Sequence, residues 1–217
     1  MAEIPNLNSV GKDFKVFLDQ DDTLAPSNAF SRLYEVIGAS ERLEAEREHQ
    51  RKASREAAKS GGTLIVPPYD IVEHLGPNPD PSYGVEIPYN LSPQDIMAMA
   101  LRARESQPNP LFPDARRLLA RLAIIGITPT ILTYGDDFTQ RLKAALNGLD
   151  IYPIEVVNKL KPEYLADVEG LGILVEDRIK HLPKIGESQI AGVLYDRNGN
   201  HPDFEGVIIK SHDELFR

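Results

Sequence analysis

The pattern of apolar and polar positions divides the chain into three stretches. Phe14-Lys15-Val16-Phe17-Leu18 is a β-prone run that stops abruptly in Asp19-Gln20-Asp21-Asp22-Thr23, as a buried strand does when it leaves a core. From about Ala25 to Pro110 the pattern turns helical and irregular. Asn28 to Ile37 and the heavily charged Ser40 to Lys59 read as helices, the second halted by Gly61-Gly62. Pro67-Pro68 and Gly76-Pro77-Asn78-Pro79-Asp80-Pro81 mark turns. Ser92-Pro93 with Asp95 supplies an N-cap, a first-position proline and an acid in the first turn of a helix to about Glu105.

From Phe112 onward, helix and strand patterns alternate. Asp114 to Ile125 places Leu118, Leu119, Leu122 and Ile125 on one helical face before Gly126. Thr130-Ile131-Leu132-Thr133 reads as a buried strand, and a helix from Phe138 to Leu146 ends at Asn147-Gly148. Ile154 to Val157, Gly172 to Val175, Ala191 to Tyr195 and Val207 to Ile209 are further short apolar runs. Short apolar strands separated by helices predict an α/β fold, a Rossmann-like, doubly wound parallel sheet with helices on both faces. Residues 1–24 and 111–217 form that core, and residues 25–110 form a mostly helical unit inserted after the first strand.

Composition narrows the partners. In 217 residues, 24 Lys and Arg stand against 33 Asp and Glu, a net charge of −9. Sequence-independent nucleic-acid binding needs surplus cations, so no nucleic-acid partner is expected. The absence of Cys excludes disulfides, thiolate catalysis and Cys-ligated zinc. Met1 to Lys12 lacks a basic start followed by an apolar run, so no signal peptide is expected. The apolar stretch Leu122 to Leu132 is shorter than the ~20 residues of a membrane span. A soluble, cytoplasmic protein without a membrane partner is the expectation.

Candidate chemistry follows from what stands after each apolar run, because ligands of open parallel sheets bind beyond the carboxyl ends of the strands. The first run is followed by Asp19 and Asp21, the second ends in Thr133, Lys159 and Lys161 follow the third, and Glu176 and Asp177 follow the fourth. Asp19 and Asp21, one residue apart in extended chain, point to the same side. Two such carboxylates repel unless a cation is present. Asp177 makes a third acid, and the three form a hard oxygen site suited to Mg²⁺. A lysine and the Thr133 hydroxyl add a positive charge and a donor for a phosphoryl group. Such a set supports covalent phosphoryl transfer: one carboxylate attacks phosphorus, and the other protonates the leaving oxygen and later activates water.

These residues resemble the motifs of the haloacid dehalogenase-like (HAD) superfamily. Val16-Phe17-Leu18-Asp19-Gln20-Asp21-Asp22-Thr23-Leu24 is similar to its first motif, and Ile131-Leu132-Thr133 to its second. Lys161-Pro162 resembles the third and Ile173-Leu174-Val175-Glu176-Asp177 the fourth, all in family order. The resemblance implies Asp19 as nucleophile, Asp21 as general acid/base with its backbone carbonyl on the metal, and Thr133 as a donor to the phosphoryl group. It implies a lysine that steadies both, with Lys161 favoured over Lys159 by the Lys-Pro match, and Asp177 completing the Mg²⁺ site. It also makes residues 25–110 a cap. Asp21 points to phosphatases and mutases, since the family's dehalogenases lack that second acid. The fourth motif departs from the common form: His181 and Leu182 stand where a further acid is usual, and Glu176 beside Asp177 suggests the variant with two adjacent acids.

Other features carry less. Arg47, Arg51 and Arg55 recur every four residues among Glu44, Glu48 and Glu56, which reads as a salt-bridged face, or else as a cap surface for an anionic substrate. The five His residues show no metal-ligand spacing. No glycine-rich phosphate loop occurs, so ATP and NAD are not expected. The leading expectation is a Mg²⁺-dependent phosphatase acting on a small phosphorylated metabolite through an aspartyl-phosphate on Asp19. The alternatives are a phosphomutase of the same superfamily and a non-enzymatic, receiver-like or scaffold module phosphorylated on Asp.

Overall fold

A computed structural model of the chain describes residues 5–59, 70–76, 91–106 and 108–217. The turns expected at Gly61-Gly62, Pro67-Pro68 and Pro77 to Pro81 lie outside these residues, as does the side chain of Arg55. The described strands are β1 Lys15–Leu18, β2 Thr130–Tyr134, β3 Ile154–Val157, β4 Gly172–Glu176, β5 Ile190–Tyr195 and β6 Val207–Ile209. All pair in parallel, in the order β3-β2-β1-β4-β5-β6. The chain starts in the middle, builds outward to β3, and returns to β4 on the other side of β1. The point where the order reverses, between β1 and β4, is where such sheets place their ligands.

Burial follows position in the sheet. Every residue of β4 is buried, while the edge strand β3 buries only Val157 fully. Alternate residues share a face, so Phe17, Leu132, Leu174 and Leu194 meet in one apolar cluster with Leu165 and Leu182. Each such side chain, fully buried, contributes roughly 1.5–3 kcal/mol.

The described helices are α1 Ala29–Val36, α2 Ser40–Lys59, α3 Ile71–Leu75, α4 Pro93–Glu105, α5 Pro113–Ile124, α6 Asp137–Asn147 and α7 Lys161–Leu165. No helix among the described residues is long and apolar enough to cross a membrane. Ser92 and Asp95 cap α4 reciprocally: Ser92 Oγ accepts from the Asp95 N–H at 3.2 Å and Asp95 Oδ2 from the Ser92 N–H at 3.1 Å. Gly148, at φ 70°, ends α6 in the left-handed conformation that glycine adopts without strain. On α2, Arg47 pairs with Glu44 at 2.8 Å and donates to Ser31 Oγ at 2.8 Å, so this arginine is committed to the helix surface.

Three local features differ from the pattern reading. The α/β class holds, but helices do not flank every strand: β4 to β5 is joined by a segment with only a 3-10 turn, Ile179–His181, and β5 to β6 by irregular chain. Pro183 and Gly186 (φ 86°) interrupt the first connection, and Asn198-Gly199-Asn200 turns the second, so neither has an uninterrupted run long enough for a helix. The segments Ile71–Leu75 and Lys161–Leu165 are short helices that the apolar pattern does not predict; Asp70 caps the first and Pro162 stands in the first turn of the second. The third difference concerns the division into units.

Two compact units are present. One comprises Met1–Ser27, Pro110–Tyr134 and Leu149–Arg217, and the other Asn28–Asn109 with Gly135–Gly148. The second unit therefore takes in α6, which the sequence boundaries of 25–110 left out. Leu142 and Leu146 explain this, because both are fully buried in one cluster with Phe30, Leu33, Tyr34, Ile96 and Ala100. Within that unit Arg42, Glu46 and the Tyr34 hydroxyl form a buried polar knot, with Arg42 Nε to Glu46 Oε1 at 2.9 Å.

Candidate active site

Strand order builds the site. Asp19 stands directly after β1, and its N–H donates to the Val175 carbonyl at 2.9 Å, extending the β1–β4 pairing by one residue. Thr133 is in β2 on one side of β1, and Glu176 ends β4 on the other. Asp177 follows Glu176, and Lys161 opens α7 after β3. After Asp21 the chain reverses tightly: Asp22 holds φ 58°, and the Leu24 and Ala25 N–H groups both donate to the Gln20 carbonyl at 3.1 Å. A left-handed aspartate is uncommon, and such backbone gathers at functional sites.

Asp19, Asp21, Thr133 and Lys161 all line one cavity of about 60 Å³. Of the two candidate lysines, Lys161 reaches Asp19; Lys159 pairs instead with Asp167 at 3.6 Å on the surface. Lys161 is 2% exposed, and its Nζ donates to Asp19 Oδ1 and to Glu176 Oε2, the latter at 2.6 Å. Glu176 Oε1 accepts the Arg178 N–H at 3.0 Å, so both of its oxygens have partners. Carboxylate oxygens of Asp19, Glu176 and Asp177 lie within 4.8 Å of one another. The Asp21 carboxylate, expected at a metal, lies outside this triplet; Glu176 stands in it.

The electrostatics are those of an under-neutralised pocket. Burial and then Glu176 raise the Asp19 pKa to about 7 against the pull of Lys161. Burial likewise raises Glu176 to about 7, and Asp177 moves up by burial and by the charge on Asp19. Burial alone would lower Lys161, but Asp19 and Glu176 together raise it, so it stays a cation. One buried ammonium among these carboxylates leaves excess negative charge. Asp177 Oδ1 is buried with no hydrogen-bond partner among the described residues. A hard-oxygen triplet with an orphaned carboxylate oxygen fits a divalent cation such as Mg²⁺.

Three cavity residues escaped the motif reading as functional groups: Tyr134, Arg178 and His181. Tyr134 is 40% exposed and lines the cavity, its ring 6.0 Å from that of His181. His181 is buried, and burial followed by Lys161, Lys180 and Arg178 lowers its pKa to about 4, which keeps it neutral. Its place four residues beyond Asp177 was the available signal, since that is where an acid is usual.

No family model matches the chain, and no curated protein sequence matches it. Solved structures do. A HAD phosphatase from Thermococcus onnurineus superposes with a TM-score of 0.57 at 20% identity, covering 93% of this chain and 95% of that one. A haloacid dehalogenase-like family hydrolase from Xanthomonas campestris covers 99% of this chain and 94% of its own at 17% identity, with a TM-score of 0.48. A HAD hydrolase structure from Bacillus subtilis, bound to magnesium, covers 94% and 98% at 16% identity and 0.49. The Thermococcus likeness establishes the fold: the chain has the HAD-like α/β architecture.

Proposed function

We propose that the protein is a Mg²⁺-dependent phosphatase that hydrolyses a small phosphate monoester through an aspartyl-phosphate on Asp19. One observation carries the reading: the buried Asp19 carboxylate at the sheet's switch point accepts from Lys161, lines one small cavity with Glu176 and Thr133, and forms a carboxylate triplet with Glu176 and Asp177. Asp21 in the same cavity favours phosphate ester chemistry over dehalogenation, since a leaving alcohol needs a proton and a leaving halide does not.

Bound Mg²⁺ would neutralise charge on the phosphoryl oxygens, held by Asp19, Asp177 and the Asp21 backbone carbonyl that the family resemblance supplies. Lys161 orients Asp19 and favours its ionised form, and the Thr133 hydroxyl donates to a phosphoryl oxygen. An Asp19 oxygen attacks phosphorus, the bond from phosphorus to the ester oxygen breaks, and the Asp21 carboxyl gives its proton to the departing oxygen. Asp21, now a carboxylate, takes a proton from water as the water oxygen attacks phosphorus. The bond to Asp19 breaks, inorganic phosphate leaves, and both aspartates return to their starting states. Glu176, with both oxygens engaged by Lys161 and Arg178, acts as a positioning residue for the lysine.

The test is Mg²⁺-dependent phosphate release from an aryl phosphate and a metabolite panel, with Asp19→Asn and Asp21→Asn alongside. Both variants are expected to lose release, and chelation of the metal to abolish it in the parent. Unchanged turnover in Asp19→Asn sinks the covalent route. Stable self-phosphorylation from a small phosphodonor without turnover makes the protein a phospho-Asp signalling module instead.

A further inference from the structure

The 3-10 turn after β4, Ile179–His181, inverts the usual order of burial. Ile179 and Lys180 are exposed, and His181 alone is buried, at 5% exposure. An apolar side chain is left in solvent while an imidazole is taken out of it. The turn is anchored at both ends. The His181 N–H donates to the Arg178 carbonyl at 2.9 Å and the Leu182 N–H to the Ile179 carbonyl at 3.1 Å, and the Leu182 side chain packs into the apolar cluster of Leu174 and Leu194. The imidazole is thereby held as a wall of the cavity that Asp19, Asp21, Thr133 and Lys161 also line.

No hydrogen bond offsets that burial. Nδ1 is sealed from solvent, and neither ring nitrogen has a hydrogen-bond partner among the described residues. Tyr134 lies tilted beside the ring, 43° between the planes, and supplies no acceptor to it. A buried polar group without a partner costs stability, and in native proteins it calls for a reason, of which a ligand is one. Burial and the neighbouring cations keep the imidazole neutral, with one N–H and one lone pair to offer. A sealed N–H without an acceptor is the rarer kind of orphan, so the proton belongs on Nε2. With Nδ1 closed off, the ring meets the cavity by another edge.

We propose that His181 is a further catalytic residue, whose Nε2–H donates a hydrogen bond to an oxygen of the transferring phosphoryl group, beside the Thr133 hydroxyl. The proposal rests on the phosphatase reading of the same cavity and adds a residue that the four motifs do not supply. It also gives the departure four residues beyond Asp177 a chemical sense. A carboxylate at that place could only accept, from a cation or a lysine, whereas an imidazole N–H can donate to an anion. The donor carries no charge, so it meets a phosphoryl oxygen without setting a second cation beside Lys161.

The test uses the full chain with Mg²⁺, orthophosphate, and vanadate as a mimic of the phosphoryl group in transfer. His181→Phe keeps a ring without nitrogen, His181→Gln sets an amide N–H near the place of Nε2, and His181→Asn sets one near Nδ1. Titration calorimetry is expected to show vanadate binding weakened about tenfold in His181→Phe and His181→Asn, and restored to within about threefold of the parent in His181→Gln. In nitrogen-edited NMR of the parent, the Nε2 signal of His181 moves when orthophosphate is added. Unchanged binding in His181→Phe, equal binding by the Gln and Asn variants, or an Nε2 signal indifferent to orthophosphate overturns the proposal and leaves His181 a structural residue. Absence of binding by either oxyanion to the parent overturns it too. Where circular dichroism shows His181→Phe unfolded, the Gln and Asn pair and the NMR signal decide. Turnover of an aryl phosphate separates the two readings. Oxyanion binding that depends on His181 without phosphate release supports the donor and overturns the phosphatase, whereas release by His181→Phe at the parent kcat leaves the phosphatase and overturns the donor.

Discussion

Two aspartates of the same compact unit, each 7% exposed, have been given opposite electrostatic fates. Asp19 is driven up to about 7 by burial and by Glu176. At Asp114, burial pushes up as well, but hydrogen bonds from His212 and Tyr195 outweigh it and hold the carboxyl far below the usual carboxylate range. Asp114, in the first turn of α5, accepts from the Tyr195 hydroxyl at 2.9 Å, from Arg197 at 3.1 Å, and from the His212 N–H at 3.1 Å, with His212 Nδ1 also at 3.1 Å. Asp19 has one ammonium, and shares it. Burial alone therefore says little about a carboxylate; the number of donors aimed at it decides between an anchor and a reactive group.

The comparison breaks most readily at Asp19. Asp19→Asn should lower phosphate release by about 10⁴-fold or more, as loss of a nucleophile does. Its stability should hold or rise, because a poorly compensated buried charge is removed. A variant that is inactive because it has unfolded, seen by circular dichroism, would make Asp19 an anchor after all. Asp114→Asn should do the reverse, costing about 3 kcal/mol in denaturant unfolding while the folded fraction retains turnover. Turnover falling without a stability loss would move Asp114 into the reaction.

Glu176→Gln tests whether the shared lysine matters. The expected result is about a tenfold loss in kcat with little change in KM, since Lys161 keeps one partner and loses the other. An unchanged kcat would mean that Lys161 is positioned without it. The smallest effect concerns pH. The depressed Asp114 pKa means that its stabilisation is complete above the unfolded carboxylate value near 4 and is lost as pH falls below it. The stability gap between the parent and Asp114→Asn should therefore be constant from pH 5 to 7 and narrow below about 4. A gap that widens in acid contradicts the depressed value.

Much of this was legible in the residues, for local reasons. Asp19, Thr133 and Glu176-Asp177 stand out because an apolar run switches to polar groups at each strand exit, and that switch involves only neighbours in the chain. The caps at Ser92 and Gly148 were readable for the same reason. Glu176 was legible as an acid but not as the partner of Lys161. Lys161 and Lys159 differ by one intervening residue, and only the helical turn beginning at Lys161 sends one inward and leaves the other at the surface. The allegiance of α6 was hidden too, since its apolar face predicts burial without saying against which neighbours.

The amino-acid sequence by itself determined the strands, most of the helices, the α/β class and the set of acids at the strand ends. These depend on periodicity, turn residues and capping, which act over a few residues. The tertiary structure alone decided which lysine meets Asp19, that Glu176 shares that lysine, and that Asp114 and Asp19 part company. Asp114 meets partners 81 to 98 residues away and Asp19 meets Lys161 across 142. A carboxyl's proton affinity is set by the charges and donors within a few ångströms. Here strand order brings those groups together, and no local pattern encodes it.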